Sequence, residues 1–112
     1  MKIYHNPRCS KSRQGLAILE ESKFEFETIK YLDNPPTREE LAEIVKMLGI
    51  APIQLIRKGE AIWKEQYKGK DLSDNEIITA MIENPKLIER PIVINNGKAV
   101  IGRPPESIKA IL

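Results

Sequence analysis

The sequence holds one cysteine, Cys9, within Arg8-Cys9-Ser10-Lys11-Ser12-Arg13. The thiolate, not the thiol, is the nucleophile, and nearby cations favour the thiolate. Arg8, Lys11 and Arg13 supply such charge, and Ser10 and Ser12 can donate hydrogen bonds to sulfur or to a bound anion. The competing interpretation is a structural thiol, because free cysteine is among the most buried residue types. Cations and hydroxyls packed this closely around Cys9 are poor company for an apolar burial site, and they favour a reactive thiol.

A lone cysteine cannot close a disulfide within the chain, so an oxidised Cys9 must be reduced by an outside thiol. Cys9-Ser10-Lys11-Ser12 is a C-x-x-S, with Ser12 where a dithiol enzyme carries its second cysteine. Redox chemistry here would be monothiol. The only histidine, His5, stands four positions before Cys9. It can bias the thiol toward thiolate or accept its proton; a histidine ending a strand can equally be a packing residue. One histidine and one cysteine do not assemble the usual zinc ligand sets, so no metal and no bound cofactor are expected.

These residues need a scaffold. Lys2 to His5 reads as a strand, Asn6-Pro7 as a turn, and about Ser10 to Glu21 as a helix with Leu16, Ile18 and Leu19 apolar. Cys9 then falls where free N–H groups and the positive helix end favour a thiolate and cradle an anion. Phe24 to Ile29 alternates Phe24, Phe26 and Thr28 against Glu25 and Glu27, as a half-buried strand does. Strands joined by one helix are usually parallel, with a right-handed crossover.

Asn34-Pro35-Pro36 breaks the pattern, and Thr37 with Glu40 spells a capping box. Leu41, Ile44, Val45 and Leu48 line one helix face, and Gly49 sits at its expected stop. A short helix is expected over Pro52 to Arg57. Lys58 to Asp71 has weak periodicity, with Trp63 and Tyr67 as its packing residues. Ser73 and Glu76 form a second box ahead of Ile77, Ile78, Met81 and Ile82, and Asn84-Pro85 ends that helix. Pro91 to Ile94 and Ala99 to Ile101 read as strands around Asn96-Gly97, a hairpin turn signal. Glu106 to Leu112 can form a last helix behind Pro104-Pro105. The order β-α-β, helical insertion, β-β-α is that of an α/β thioredoxin-like fold with a mixed sheet. One domain is expected over residues 1–112, with the insertion at about 37–84.

Bulk properties agree. The 112 residues suit one compact domain, and 41% hydrophobic with 30% charged residues is an ordinary soluble balance. The net charge of +2, without a basic stripe, gives no case for nucleic acid. No apolar run approaches a membrane span, and no apolar leader opens the chain, so a cytoplasmic protein is expected.

The motifs together resemble the glutaredoxin-coupled arsenate reductase family over nearly the whole chain. They are Ile3 to Arg13, then Tyr31-Leu32-Asp33-Asn34-Pro35-Pro36-Thr37, then Glu89-Arg90-Pro91-Ile92-Val93 and Gly102-Arg103-Pro104-Pro105-Glu106. The resemblance implies that the Cys9 thiolate attacks arsenate, that glutathione joins the adduct as co-substrate, and that glutaredoxin removes the glutathionyl group as arsenite leaves. It implies an oxyanion site of Arg57, Arg90 and Arg103, with His5 tuning the thiol. Ser10, Lys11, Ser12 and Arg13 become substrate-binding positions, with Pro91 as a cis-proline facing the cysteine. Guanidinium groups suit a tetrahedral oxyanion because they offer paired, charge-assisted hydrogen bonds. Family enzymes that act on arsenate tend to carry Gly-Thr-Ser-Arg where Ser10-Lys11-Ser12-Arg13 stands here. Two other functions fit the same residues. One is a monothiol oxidoreductase acting on glutathione mixed disulfides or another oxyanion. The other is a redox-responsive transcription regulator binding RNA polymerase, which commonly needs the second cysteine that Ser12 replaces.

Overall fold

A computed structural model describes all of residues 1–112. Its regular elements are β1 (Lys2–His5), α1 (Ser10–Ser22), β2 (Glu27–Lys30), α2 (Arg38–Leu48), α3 (Ala61–Gln66), α4 (Asp74–Glu83), β3 (Ile92–Asn95) and β4 (Lys98–Ile101). Short 3-10 helices cover Pro52–Leu55, Pro85–Leu87 and Pro105–Ile111. The chain divides into two units, Met1–Asn34 with Arg90–Leu112, and Pro35–Glu89.

The first unit carries a mixed sheet in the order β2-β1-β3-β4. β1 pairs parallel with β2 and antiparallel with β3, and β3 pairs antiparallel with β4. This is the thioredoxin-like arrangement. Ile3, Leu19, Val93 and Ile108 form its fully buried core, with Leu16, Ile18, Phe26 and Val100 packed around them. Each such side chain contributes about 1.5–3 kcal/mol by leaving water. The hairpin between β3 and β4 turns on Asn96 (φ 50°) and Gly97 (φ 75°), the paired positive values of a type I′ turn.

Two elements differ from the sequence expectation. The strand expected over Phe24 to Ile29 begins only at Glu27, and Phe24 is 55% exposed. The pairing explains this. Lys2 is the first residue of β1 and faces Glu27, so Phe24 to Phe26 lie before the ladder starts. Phe26 still packs on the core, while Thr28 is exposed and Ile29 is the half-buried position. The last helix is a 3-10 helix over Pro105–Ile111. Three residues per turn stack Pro105, Ile108 and Ile111 in one line, and Pro105 and Ile108 are buried while Ile111 packs on the core.

The second unit follows its caps. The Thr37 hydroxyl accepts from Glu40 N–H at 3.1 Å, and the Glu40 carboxylate accepts from Thr37 N–H at 3.0 Å. The Ser73–Glu76 box starts α4 in the same way. Leu41, Ile44 and Val45 of α2 are buried, as are Ile77, Ile78, Ala80 and Met81 of α4. Gly49 closes α2 at φ 67°. The helix expected over Pro52 to Arg57 is the 3-10 helix Pro52–Leu55. The weakly periodic stretch contains α3. Trp63 is buried there and stacks on Tyr67 with ring centroids 5.5 Å apart. A cleft of about 550 Å³ opens beside this pair, with four lysines and two aspartates in its lining and no cysteine, serine or histidine. No helix of the chain is long and apolar enough to cross a membrane.

Candidate active site

The site grows from the end of β1. Asn6 shapes the turn twice: its carbonyl accepts from Cys9 N–H and its side-chain oxygen from Arg8 N–H, both at 3.0 Å. Asparagine suits this, because its side chain mimics a backbone turn. The turn delivers Cys9 to the N-cap of α1, with extended backbone (φ −95°, ψ 123°). The Cys9 carbonyl accepts from Arg13 N–H at 3.0 Å and begins the helix.

Cys9 is partly exposed and free. Arg103 Nη1 lies 3.8 Å from Cys9 Sγ and donates to the Arg90 carbonyl at 3.1 Å. That second bond fixes the guanidinium beside the sulfur. Burial is the largest single influence on the thiol and pushes its pKa up. The Ser12 N–H and the Arg90 and Arg103 guanidiniums together outweigh it, so the thiol lies below its ordinary value. No side-chain hydrogen bond caps α1, so the Ser12 N–H acts on the sulfur by electrostatics rather than through a closed cap.

His5 is buried, 4% exposed. Its Nδ1 is 2.7 Å from Ser12 Oγ, which also accepts from Asn6 N–H at 3.0 Å. Burial first, then the charges of Lys30 and Arg13, hold the imidazole below its usual pKa against an opposing hydrogen bond to Ser12. His5 Nδ1 and the Ser12 hydroxyl share this bond in a direction set by the ring's tautomer. The bond ties His5 to the Ser12 segment that runs past the sulfur.

The structure brings Cys9, Arg90 and Arg103 together, with His5 and Ser12 behind them. It turns the Ser12 side chain inward. Its hydroxyl is fully buried and held by His5 and Asn6, which leaves its backbone N–H for the sulfur. Arg13 donates from Nη1 to the Pro7 carbonyl at 3.0 Å and so braces the turn. Ser10 and Lys11 are exposed on the first turn of α1. Arg57 belongs to the second unit, where Nη1 donates to Glu89 Oε1 at 2.9 Å. The Arg90–Pro91 peptide is cis, as the resemblance implied; a second cis peptide at Arg103–Pro104 had no signal in the residue pattern. The Asn6 side chain's bond to Arg8 N–H goes beyond the Asn6-Pro7 turn that the sequence signalled. No group of three or more His, Cys, Asp or Glu side chains is placed to hold a metal ion.

The ArsC family model matches residues 4–111. An arsenate reductase of Neisseria meningitidis is 45% identical over all of this chain and 97% of its own length. An arsenate reductase of Haemophilus influenzae is 46% identical over 98% of this chain and 97% of its own. Among solved structures, an arsenate reductase from Vibrio cholerae superposes with a TM-score of 0.94 at 47% identity, covering 100% of this chain and 98% of that one.

Proposed function

The chain belongs to the ArsC family, and from that premise we propose that it is an arsenate reductase in which the Cys9 thiolate attacks arsenate and glutathione and glutaredoxin supply the electrons. The observation that carries this reading is the Arg103 guanidinium held 3.8 Å from Cys9 Sγ. A cation there serves two ends. It favours the thiolate, and it offsets the charge by which a tetrahedral oxyanion would repel that nucleophile. Arg90 is the second such cation. Arg57 enters as the third on its motif Leu55-Ile56-Arg57-Lys58 alone. The exposed Ser10 and Lys11 stand on the first turn of α1, where free N–H groups favour an anion.

In this proposal Cys9 Sγ forms a bond to As(V) and one arsenate oxygen leaves as water. A glutathione thiol then replaces a second oxygen on arsenic, which also leaves as water. The glutaredoxin thiolate attacks the glutathionyl sulfur. That sulfur–arsenic bond breaks, its electron pair stays on arsenic as As(III), and a glutaredoxin–glutathione mixed disulfide departs. Water finally cleaves the Sγ–As(III) bond, which releases arsenite and restores the thiol. The two electrons come from the two external thiols, as a chain with one cysteine requires. Such reductants place the protein in a reducing cytoplasm, where arsenate reduction serves arsenic detoxification.

Arsenate-dependent NADPH oxidation, coupled through glutathione, glutaredoxin and glutathione reductase, tests the proposal. Turnover in the wild type and none in Cys9→Ser is the expected result. Absence of turnover in folded wild type would overturn arsenate as substrate; equal turnover in Cys9→Ser would overturn the thiolate mechanism.

A further inference from the structure

Pro91 follows Arg90 directly, Gly102 precedes Arg103 directly, and Pro91 and Ile108 pack against both Gly102 and Gly15 of α1. A Cβ placed on Gly15 would lie 2.9 Å from Pro91 Cγ and 2.9 Å from Ile108 Cδ1. A Cβ on Gly102 would lie 2.8 Å from Pro91 Cγ and 2.9 Å from Ile108 Cδ1. These separations are shorter than non-bonded carbons adopt, so both glycines are required as glycines by space alone. A backbone bond closes the clamp: Gly102 N–H donates to the Pro91 carbonyl at 2.8 Å. Gly15, Pro91, Gly102 and Ile108 are all buried.

We propose that Gly15 and Gly102 are positioning residues of the thiolate site, whose missing side chains let Pro91 seat between α1 and the segment after β4 so that Arg90 and Arg103 meet Cys9. The reasoning is one of short levers. Arg90 is one residue from the clamped proline, and Arg103 is one residue from the clamping glycine. Arg103 reaches Arg90 O and Cys9 Sγ with the same Nη1, at 3.1 and 3.8 Å, so a shift of a few tenths of an ångström at the clamp is felt at the sulfur. Interiors this dense pass a displacement on rather than absorb it. The same glycine of α1 fixes the helix whose N-cap is Cys9. The proposal rests on the thiolate reading of Cys9 and not on arsenate as substrate.

The test is the pH midpoint of Cys9 alkylation by iodoacetamide, measured on Gly15→Ala, Gly102→Ala and the control Gly59→Ala. Gly59 has nothing within 4 Å of an added Cβ. Besides Arg90 and Arg103, the charged or titratable groups on the elements that carry the thiol are His5 behind Ser12 and the exposed Arg8, Lys11 and Arg13 on the turn and α1; none is altered by these variants. The expected result is an upward shift of the midpoint in both clamp variants and no shift in the control. Wild-type midpoints in folded clamp variants would overturn the proposal. If either alanine variant fails to fold, adding Ile108→Val removes Cδ1 and leaves the Pro91 wall in place. The double variant should fold and keep the raised midpoint, whereas Ile108→Val alone should keep the wild-type midpoint. A double variant that recovers the wild-type midpoint, or an equal shift from Ile108→Val alone, assigns the effect to general core packing and overturns the clamp. An ordinary thiol midpoint in the wild type overturns the thiolate reading and the clamp with it. Because alkylation needs no arsenate, a failed reductase assay leaves this result independent.

Discussion

Ser12 Oγ lies 2.7 Å from His5 Nδ1, and this buried bond joins the end of the first strand to the first turn of the helix that presents Cys9. The same oxygen takes the Asn6 N–H, so one hydroxyl holds both sides of the turn. Ser12→Ala leaves two buried groups without their partner. The expected loss of stability is about 1–3 kcal/mol, read by urea denaturation at neutral pH. The exposed Ser10→Ala serves as contrast and should stay within about 0.5 kcal/mol of wild type. Equal effects of the two substitutions would refute the role given to the Ser12 hydroxyl.

His5 gives the protein an acid-sensitive component. Its pKa in the folded state is lowered from 6.5 by burial and by the charges of Lys30 and Arg13. Between 6.5 and the lowered folded value, the unfolded chain binds a proton that the folded chain does not. The contribution is complete above the unfolded pKa and is lost as the pH falls through the folded one. Denaturation midpoints should therefore drop as the pH falls from above 6.5 through the lowered folded value, and His5→Gln should lessen the drop. A variant as acid-sensitive as wild type would assign the loss to other groups.

Removing a guanidinium from the thiol should restore a more ordinary cysteine. In Arg103→Ala the alkylation midpoint of Cys9 moves up, and reaction at neutral pH slows. Above the ordinary thiol range the sulfur is fully ionised in both proteins, and the variant's more basic thiolate reacts at least as fast as wild type. Arg103→Lys keeps the charge but cannot bridge Arg90 O and the sulfur with one planar group, so an intermediate midpoint is expected. Stability carries the same sign. The lowered Cys9 pKa makes the folded state gain as pH rises from that value toward the ordinary thiol range, and Cys9→Ser should remove this gain.

In the second unit the caps are the simplest target. Thr37→Ala removes the hydroxyl that accepts Glu40 N–H at 3.1 Å. A loss of about 0.5–2 kcal/mol is expected, with thiol reactivity unchanged. Altered alkylation kinetics in that variant would contradict the local character of the cap.

Much of this protein could be read without its tertiary structure, and the readable parts share a cause. Thr37 with Glu40, Ser73 with Glu76, the Leu41-Ile44-Val45 stripe and the Asn96-Gly97 turn each act over a few residues, so sequence spacing determines them. The placement of Cys9 at a helix start is of this kind, and so is the electropositive company on which the expectation of a reactive thiol rests. The family motifs named the arginines, which spacing alone had no means to select. What remained was decided by contacts between residues far apart in sequence. β2 starts at Glu27 rather than Phe24 because β1 offers no earlier partner. α3 has six residues and no side-chain cap, too short for a period to show, and Trp63 was placed by its stack on Tyr67 and its burial. The Ser12 hydroxyl turns inward because His5 and Asn6 converge on it. Gly15 and Gly102 look like any other glycines until the fold lays Pro91 and Ile108 against both. The candidate residues were thus named by local motifs, whereas their arrangement in space depends on contacts between segments distant in the chain, which only the tertiary structure supplies.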